Sequence, residues 1–130
     1  MSDEPEAWAE RAYAALAAAL FVLFALHVAH HDYVGDFWEH AAVVRELAGH
    51  PLSPRNPLVA TADPHPMFSP YTLAVALCSR WLGISPIETL AAAGLVNFAF
   101  LMLALHAFVV RLLGRDEAFF ALLLVPLLWG

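Results

Sequence analysis

The chain has 130 residues and a formal net charge of −6, and 62% of its residues are hydrophobic against 14% that are charged. A soluble domain of this length needs more polar residues to cover its core, so the composition favours an integral membrane protein. The six basic residues are scattered arginines, which give no basic patch for a nucleic acid. We therefore expect membrane lipid as a partner and no nucleic acid.

The first apolar segment, residues 12–29, predicts a transmembrane helix. Its only polar interruption is His27. At about 1.5 Å per residue the segment reaches roughly 27 Å, close to the ~30 Å hydrocarbon core of a bilayer. The polar N-terminus, residues 1–11, carries acidic residues and no basic one before Arg11, which is the wrong charge for a cleaved signal peptide. An uncleaved first span is expected.

A polar region, residues 30–66, follows and is predicted to be an external loop. It opens with a helix over residues 36–49, in which Asp36 and Glu39 have the spacing of a capping box. The apolar residues of this helix form one stripe, made of Phe37, Ala41, Val44 and Leu47. Such an amphipathic helix suits a position at the membrane interface. Gly49 ends it, and several prolines make the rest of the region an irregular loop.

Three further apolar blocks follow the loop. Residues 67–83 form a short block that is either a tilted span through a thin bilayer or a re-entrant segment. Residues 86–113 are long enough for a full span, and Ser85 with Glu88 predicts a capping box at its start. Residues 117–130 begin another transmembrane helix that is cut short. The expected fold class is an all-α, polytopic transmembrane helical bundle, and the chain is expected to be a fragment of a larger protein.

Asp36 is the leading candidate for chemistry. It is either only the N-cap of the loop helix, or it also serves as a general base or as a carboxylate that orients a substrate hydroxyl, placed where a membrane cavity meets water. Asp32 and Glu39 are weaker candidates of the same kind.

A metal site is a minor alternative. His27, His30 and His31 have i, i+3, i+4 spacing, and Asp36 with His40 repeats the i, i+4 spacing of helical metal ligands. No established ligand signature accompanies them, so no metal and no other cofactor is expected. If a divalent ion does bind, His30, His31 and His40 are the candidate ligands.

Aromatic residues border the loop and are typical of the interfacial belt of membrane proteins. They are Tyr33, Phe37, Trp38, Tyr71 and Trp81. Stacking on a sugar is the alternative role, which makes Tyr71 a candidate substrate contact. His65, beside Pro66, is either a residue of a rigid loop or a second substrate contact.

The order of these segments resembles the first part of the GT-C membrane glycosyltransferases. Residues 36–49 (DFWEHAAVVRELAG) are similar to the acidic residue and helix of their first external loop, and residues 65–71 (HPMFSPY) to the exit from that loop. Residues 81–86 (WLGISP) and 111–115 (RLLGR) resemble their turns into the third and fourth helices.

This resemblance implies an enzyme of the cell membrane, which transfers a sugar from a polyprenyl-phosphate-linked donor to an acceptor outside the cytoplasm. It implies that Asp36 is the catalytic base or an essential acceptor contact, with Glu39 second. Many members carry adjacent acidic residues here, whereas this chain has Asp36 followed by Phe37. Because the later loops of the family are missing, these residues alone are not expected to be active.

Two other classes of function stay open. In the first, the chain is part of a transporter or channel, and Asn97 and His106 line its pathway as lone polar residues of an apolar helix. In the second, it is a non-catalytic membrane subunit whose loop binds a partner. Composition is neutral between these classes and the enzyme.

Overall fold

A computed structural model describes residues 3–31, 33–61, 63 and 65–128. The described residues form five α-helices and no β-strand, which confirms the all-α class. The helices are α1 (Asp3–Ala29), α2 (Phe37–Gly49), α3 (Pro70–Leu82), α4 (Pro86–Leu112) and α5 (Arg115–Leu128). Every predicted helical block is present, and the differences lie at the helix ends.

The largest differences concern the starts of α1 and α3. The segment predicted to be a polar N-terminus, residues 1–11, is helical from Asp3 onward, where α1 begins. Residues 7–11 contain neither glycine nor proline, so nothing in them breaks the helix that leads into the apolar segment. α3 begins at Pro70 rather than at residue 67, because Ser69 has the extended backbone of an N-cap and Pro70 suits the first helical position.

Two of the described helices are long and apolar enough to cross a bilayer, α1 over Ala7–Ala29 and α4 over Pro86–Leu112. Only 6% of the most apolar window of α1 and 11% of that of α4 are buried within the protein. This exposure favours a bilayer around them, since a helix in the core of a soluble protein is mostly buried. The 13 residues of α3 reach about 20 Å. Whether α3 crosses a thin bilayer or is re-entrant stays a prediction.

The helices belong to two compact units. The first contains α1, α5 and the part of α4 from Leu95 onward. Its buried core consists of Tyr13, Met102, Val109, Ala118 and Leu122. The Tyr13 hydroxyl donates a hydrogen bond to the carbonyl of Met102, and the rings of Trp8 and Phe119 meet edge-on at 5.9 Å. These contacts join α1 to α4 and to α5.

The second unit runs from His30 to Gly94 and contains α2 and α3, which pack on each other. Its buried core consists of Val43, Val44, Leu47, Val75 and Ala76. Three of the four residues in the predicted apolar stripe of α2, including Val44 and Leu47, are therefore buried in protein. An interfacial position of α2 stays a prediction, but these three residues are covered by protein and do not contact lipid.

Reciprocal caps fix the first turns of α3 and α4. The predicted box at α4 is confirmed: the Ser85 N–H donates to the Glu88 carboxylate, and the Glu88 N–H donates to Ser85 Oγ, each at 3.2 Å. A second box, not predicted from the sequence, joins Ser69 to Thr72 with hydrogen bonds of 2.9 and 3.2 Å. Each box satisfies amides that have no partner inside the helix, so both helices begin at defined residues.

We expect Ser69→Ala to lower the free energy of unfolding by about 1 kcal/mol, because the Thr72 amide loses its side-chain acceptor. Thermal unfolding of the purified protein in detergent micelles measures the change. Ser53→Ala is the matched control, since Ser53 is exposed in the loop that follows α2. If the two variants unfold at the same temperature, Ser69 does not act as a cap.

Candidate functional site

Asp36 directly precedes α2, and its side chain is exposed. Its backbone is already helical, with φ −71° and ψ −4°, and its carboxylate makes no capping hydrogen bond. A side-chain cap normally requires a non-helical backbone at this position. The predicted capping box between Asp36 and Glu39 is therefore wrong. The carboxylate instead lies at the positive end of the helix dipole, where a negative charge is favoured.

The structure brings together two residues singled out in the sequence, Glu39 of α2 and His65 of the loop before α3. His65 is 7% exposed, and its Nε2 lies 3.5 Å from Oε1 of Glu39. The backbone N–H of Met67 donates to the other ring nitrogen, Nδ1, at 3.2 Å. Since one nitrogen of a neutral imidazole accepts while the other carries the hydrogen, this bond places the hydrogen on Nε2, facing the carboxylate.

These contacts bear on the role predicted for His65. Both of its ring nitrogens have protein neighbours, and the side chain is buried next to the ring of Phe68, with centroids 6.1 Å apart. This arrangement favours a residue that orders the loop. Direct contact with a substrate stays a prediction.

Aromatic side chains surround the start of α2. The rings of Tyr33 and Phe37 stack at 4.0 Å, and Trp38 Nε1–H donates to the Tyr33 carbonyl at 3.2 Å. Trp38 is 53% exposed, and Tyr71, in the first turn of α3, is 47% exposed. Both roles considered for these residues, the interfacial belt and sugar stacking, stay predictions.

The candidate metal ligands do not form a cluster. Within the part of the chain that the structure describes, no three side chains of His, Cys, Asp or Glu are placed to hold a metal ion. His30 and His31 are exposed after the end of α1, and His40 is half-buried on α2. His31 Nδ1 lies 3.2 Å from the hydroxyl of Tyr33. Asp32, the weaker carboxylate candidate, lies outside the described residues.

Besides the contact between Glu39 and His65 in the second unit, a cluster of charged and polar side chains lies in the first unit. The carboxylate of Glu10 is 3.2 Å from Nε of Arg115 and 3.6 Å from Nε2 of His106. The ring of Tyr13 packs on the His106 imidazole at 4.5 Å. His106 thus joins α4 to α1, as polar residues of apolar helices commonly do. No motif links Glu10 to residues so distant in the sequence, so this cluster could not be predicted from the sequence.

We call Asp36, Glu39 and His65 the loop site. Glu39 lies in the first turn of α2, and Asp36 directly precedes the helix with a helical backbone. In helical backbone, residues three apart have Cβ atoms about 5–6 Å apart. Comparison of the chain with protein-family models, with curated proteins and with solved structures finds no match. Chemically, the loop site offers one exposed carboxylate and a second carboxylate in contact with a buried histidine. Such groups accept protons or hydrogen bonds from hydroxyl groups.

Proposed function

We propose that the chain is the N-terminal part of a polytopic glycosyltransferase of the cell membrane. In this proposal the enzyme moves a sugar from a polyprenyl-phosphate donor to an acceptor hydroxyl at the extracytoplasmic face. The observation that supports it most is the Asp36 carboxylate, which is exposed and not used to cap α2. It adds to the resemblance of the loop and its flanking motifs to the GT-C glycosyltransferases.

Asp36 acts in this proposal as the general base. The acceptor hydroxyl gives its proton to the Asp36 carboxylate while its oxygen forms a bond to the anomeric carbon of the sugar. The bond between that carbon and the phosphate oxygen breaks, and polyprenyl phosphate leaves with the electron pair. Because the acceptor attacks the face opposite the leaving phosphate, the configuration at the anomeric carbon is inverted.

The surroundings of Asp36 suit a lipid-linked donor. The residue follows α1, one of the two described helices able to cross a bilayer, after a short connection. A donor anchored in the membrane by its polyprenyl chain presents its phosphate and sugar at the interface where such a helix ends. Glu39 is the second acidic residue of the site and is available to bind the acceptor.

The test uses the protein expressed from its complete reading frame and reconstituted in liposomes. The liposomes are supplied with radiolabelled polyprenyl-phosphate pentoses and hexoses, with a membrane glycolipid extract as the acceptor. We expect one donor to release polyprenyl phosphate while its label passes to the acceptor. Liposomes without protein are the control. If no donor of the panel loses its sugar, the proposal is contradicted.

A further inference from the structure

We propose that His65 is a positioning residue of the loop site: it holds the carboxylate of Glu39 so that this group orients the acceptor beside Asp36. The proposal rests on the proposed function. It assigns to His65 no proton transfer and no contact with the substrate. Its basis is the pair of contacts at the two ring nitrogens of a buried imidazole.

The imidazole of His65 is fixed in place by its own loop. The N–H of Met67 donates to Nδ1 at 3.2 Å, and the N–H of Phe68 donates to the His65 carbonyl at 3.0 Å. The turn is joined in addition to the start of α3, because the hydroxyl of Thr72 donates to the Met67 carbonyl at 3.0 Å. A ring held in this way has one orientation, and that orientation directs Nε2 toward Glu39.

The backbone that carries Glu39 is supported by the hydrophobic core of the second unit. It lies in the first turn of α2, whose Val43 and Val44 are fully buried against α3. The 3.5 Å contact between Glu39 and His65 therefore joins two segments whose backbones are both supported by the same hydrophobic core.

The contact leaves part of the carboxylate free for a ligand. Oε1 of Glu39 faces Nε2 of His65, while the side chain as a whole is 37% exposed. An ionised carboxylate accepts several hydrogen bonds, so a group held at one oxygen still binds a hydroxyl at the other. Fixing a binding group in this way increases the fraction of bound acceptor that is correctly placed for reaction.

Nitrogen NMR of the full chain, labelled with 15N-histidine in detergent micelles, tests the contact without any substrate. We expect the neutral His65 ring to carry its hydrogen on Nε2, and its Nε2 resonance to shift in Glu39→Ala. Glu46→Ala is the matched control, since Glu46 also lies on α2 but contacts His50, at 3.1 Å. A His65 resonance that does not change in Glu39→Ala overturns the proposal.

Kinetics of sugar transfer test the consequence. We expect His65→Ala to lower kcat roughly 10- to 100-fold with little change in the donor KM. His65→Gln is expected to restore most of the rate, because its amide can accept from Met67 and donate to Glu39. In a Glu39→Ala background, His65→Ala is expected to have no further effect. His50→Ala, which alters the exposed histidine paired with Glu46, is expected to leave the rate unchanged.

The outcomes separate the two proposals. Equal losses in His65→Ala and His65→Gln, or independent losses from His65 and Glu39, overturn the positioning role. A wild-type protein that transfers no sugar contradicts the proposed function, and the proposal for His65, which rests on it, falls too. The NMR shift then still decides whether His65 holds Glu39. Because His65→Gln is expected to keep both polar contacts, it keeps the kinetic test valid if His65→Ala fails to fold.

Discussion

Asp36→Asn is expected to lower the rate of sugar transfer about 100- to 10,000-fold, because asparagine cannot accept the proton of the acceptor hydroxyl. The variant should lose activity while keeping the wild-type fold. The carboxylate of Asp36 is exposed and makes no capping hydrogen bond, so the substitution removes only its interaction with the helix dipole, and the free energy of unfolding should fall by no more than about 1 kcal/mol. Initial rates in liposomes and thermal unfolding in micelles measure the two effects separately.

Asp63→Asn is the matched control for this substitution. Asp63 is an exposed acidic residue of the segment that joins α2 to α3, and its replacement removes the same charge. We expect it to transfer sugar at the wild-type rate. Wild-type activity in Asp36→Asn would remove Asp36 from the mechanism, and equal losses in both variants would indicate an effect of loop charge.

Val43→Asp is expected to unfold the second unit. Val43 is 0% exposed within the core that α2 shares with α3, and the substitution places an unpaired carboxylate there. Burial of such a group costs several kcal/mol, a large part of the 5–15 kcal/mol by which domains are typically stable. Limited proteolysis of the segment between residues 50 and 69 measures the effect, and cleavage should become much faster than in the wild type.

Val59→Asp controls for the added charge. It introduces the same substitution at a valine that is 53% exposed in the loop. We expect its overall rate of cleavage to stay near that of the wild type. If the Val43 variant resists the protease as well as the Val59 variant, α2 does not depend on the core that it shares with α3.

The helices could be predicted because their signals are local. Apolar residues recur with helical spacing, and Ser85, Pro86 and Glu88 mark the start of α4 within a few residues of sequence. The same spacing was misleading at Asp36 and Glu39. Spacing shows that a carboxylate can reach an amide, but it does not show the backbone conformation, and Asp36 is already helical.

Contacts between distant segments could not be predicted in this way. The stripe of α2 indicated one apolar face without indicating what covers it, and the structure shows that α3 does so. His65 was a candidate only because it lies beside Pro66 in residues 65–71, the segment that resembles the loop exit of the GT-C glycosyltransferases. Its contact with Glu39 depends on how a proline-rich loop returns to the start of α2, and no periodicity encodes that path.

The packing of α2 on α3 also affects how freely their connection can change. Each helix is held by the other, while connection residues such as Leu52, at 97% exposure, contribute little to the core. Doubling the length of such a connection costs only about 0.6 kcal/mol in closure entropy. The stretch around Leu52, which is thirteen residues from Glu39 and thirteen from His65 in the sequence, is thus a place where we expect insertions to be tolerated. A longer connection there would add exposed surface while leaving the contact between Glu39 and His65 in place.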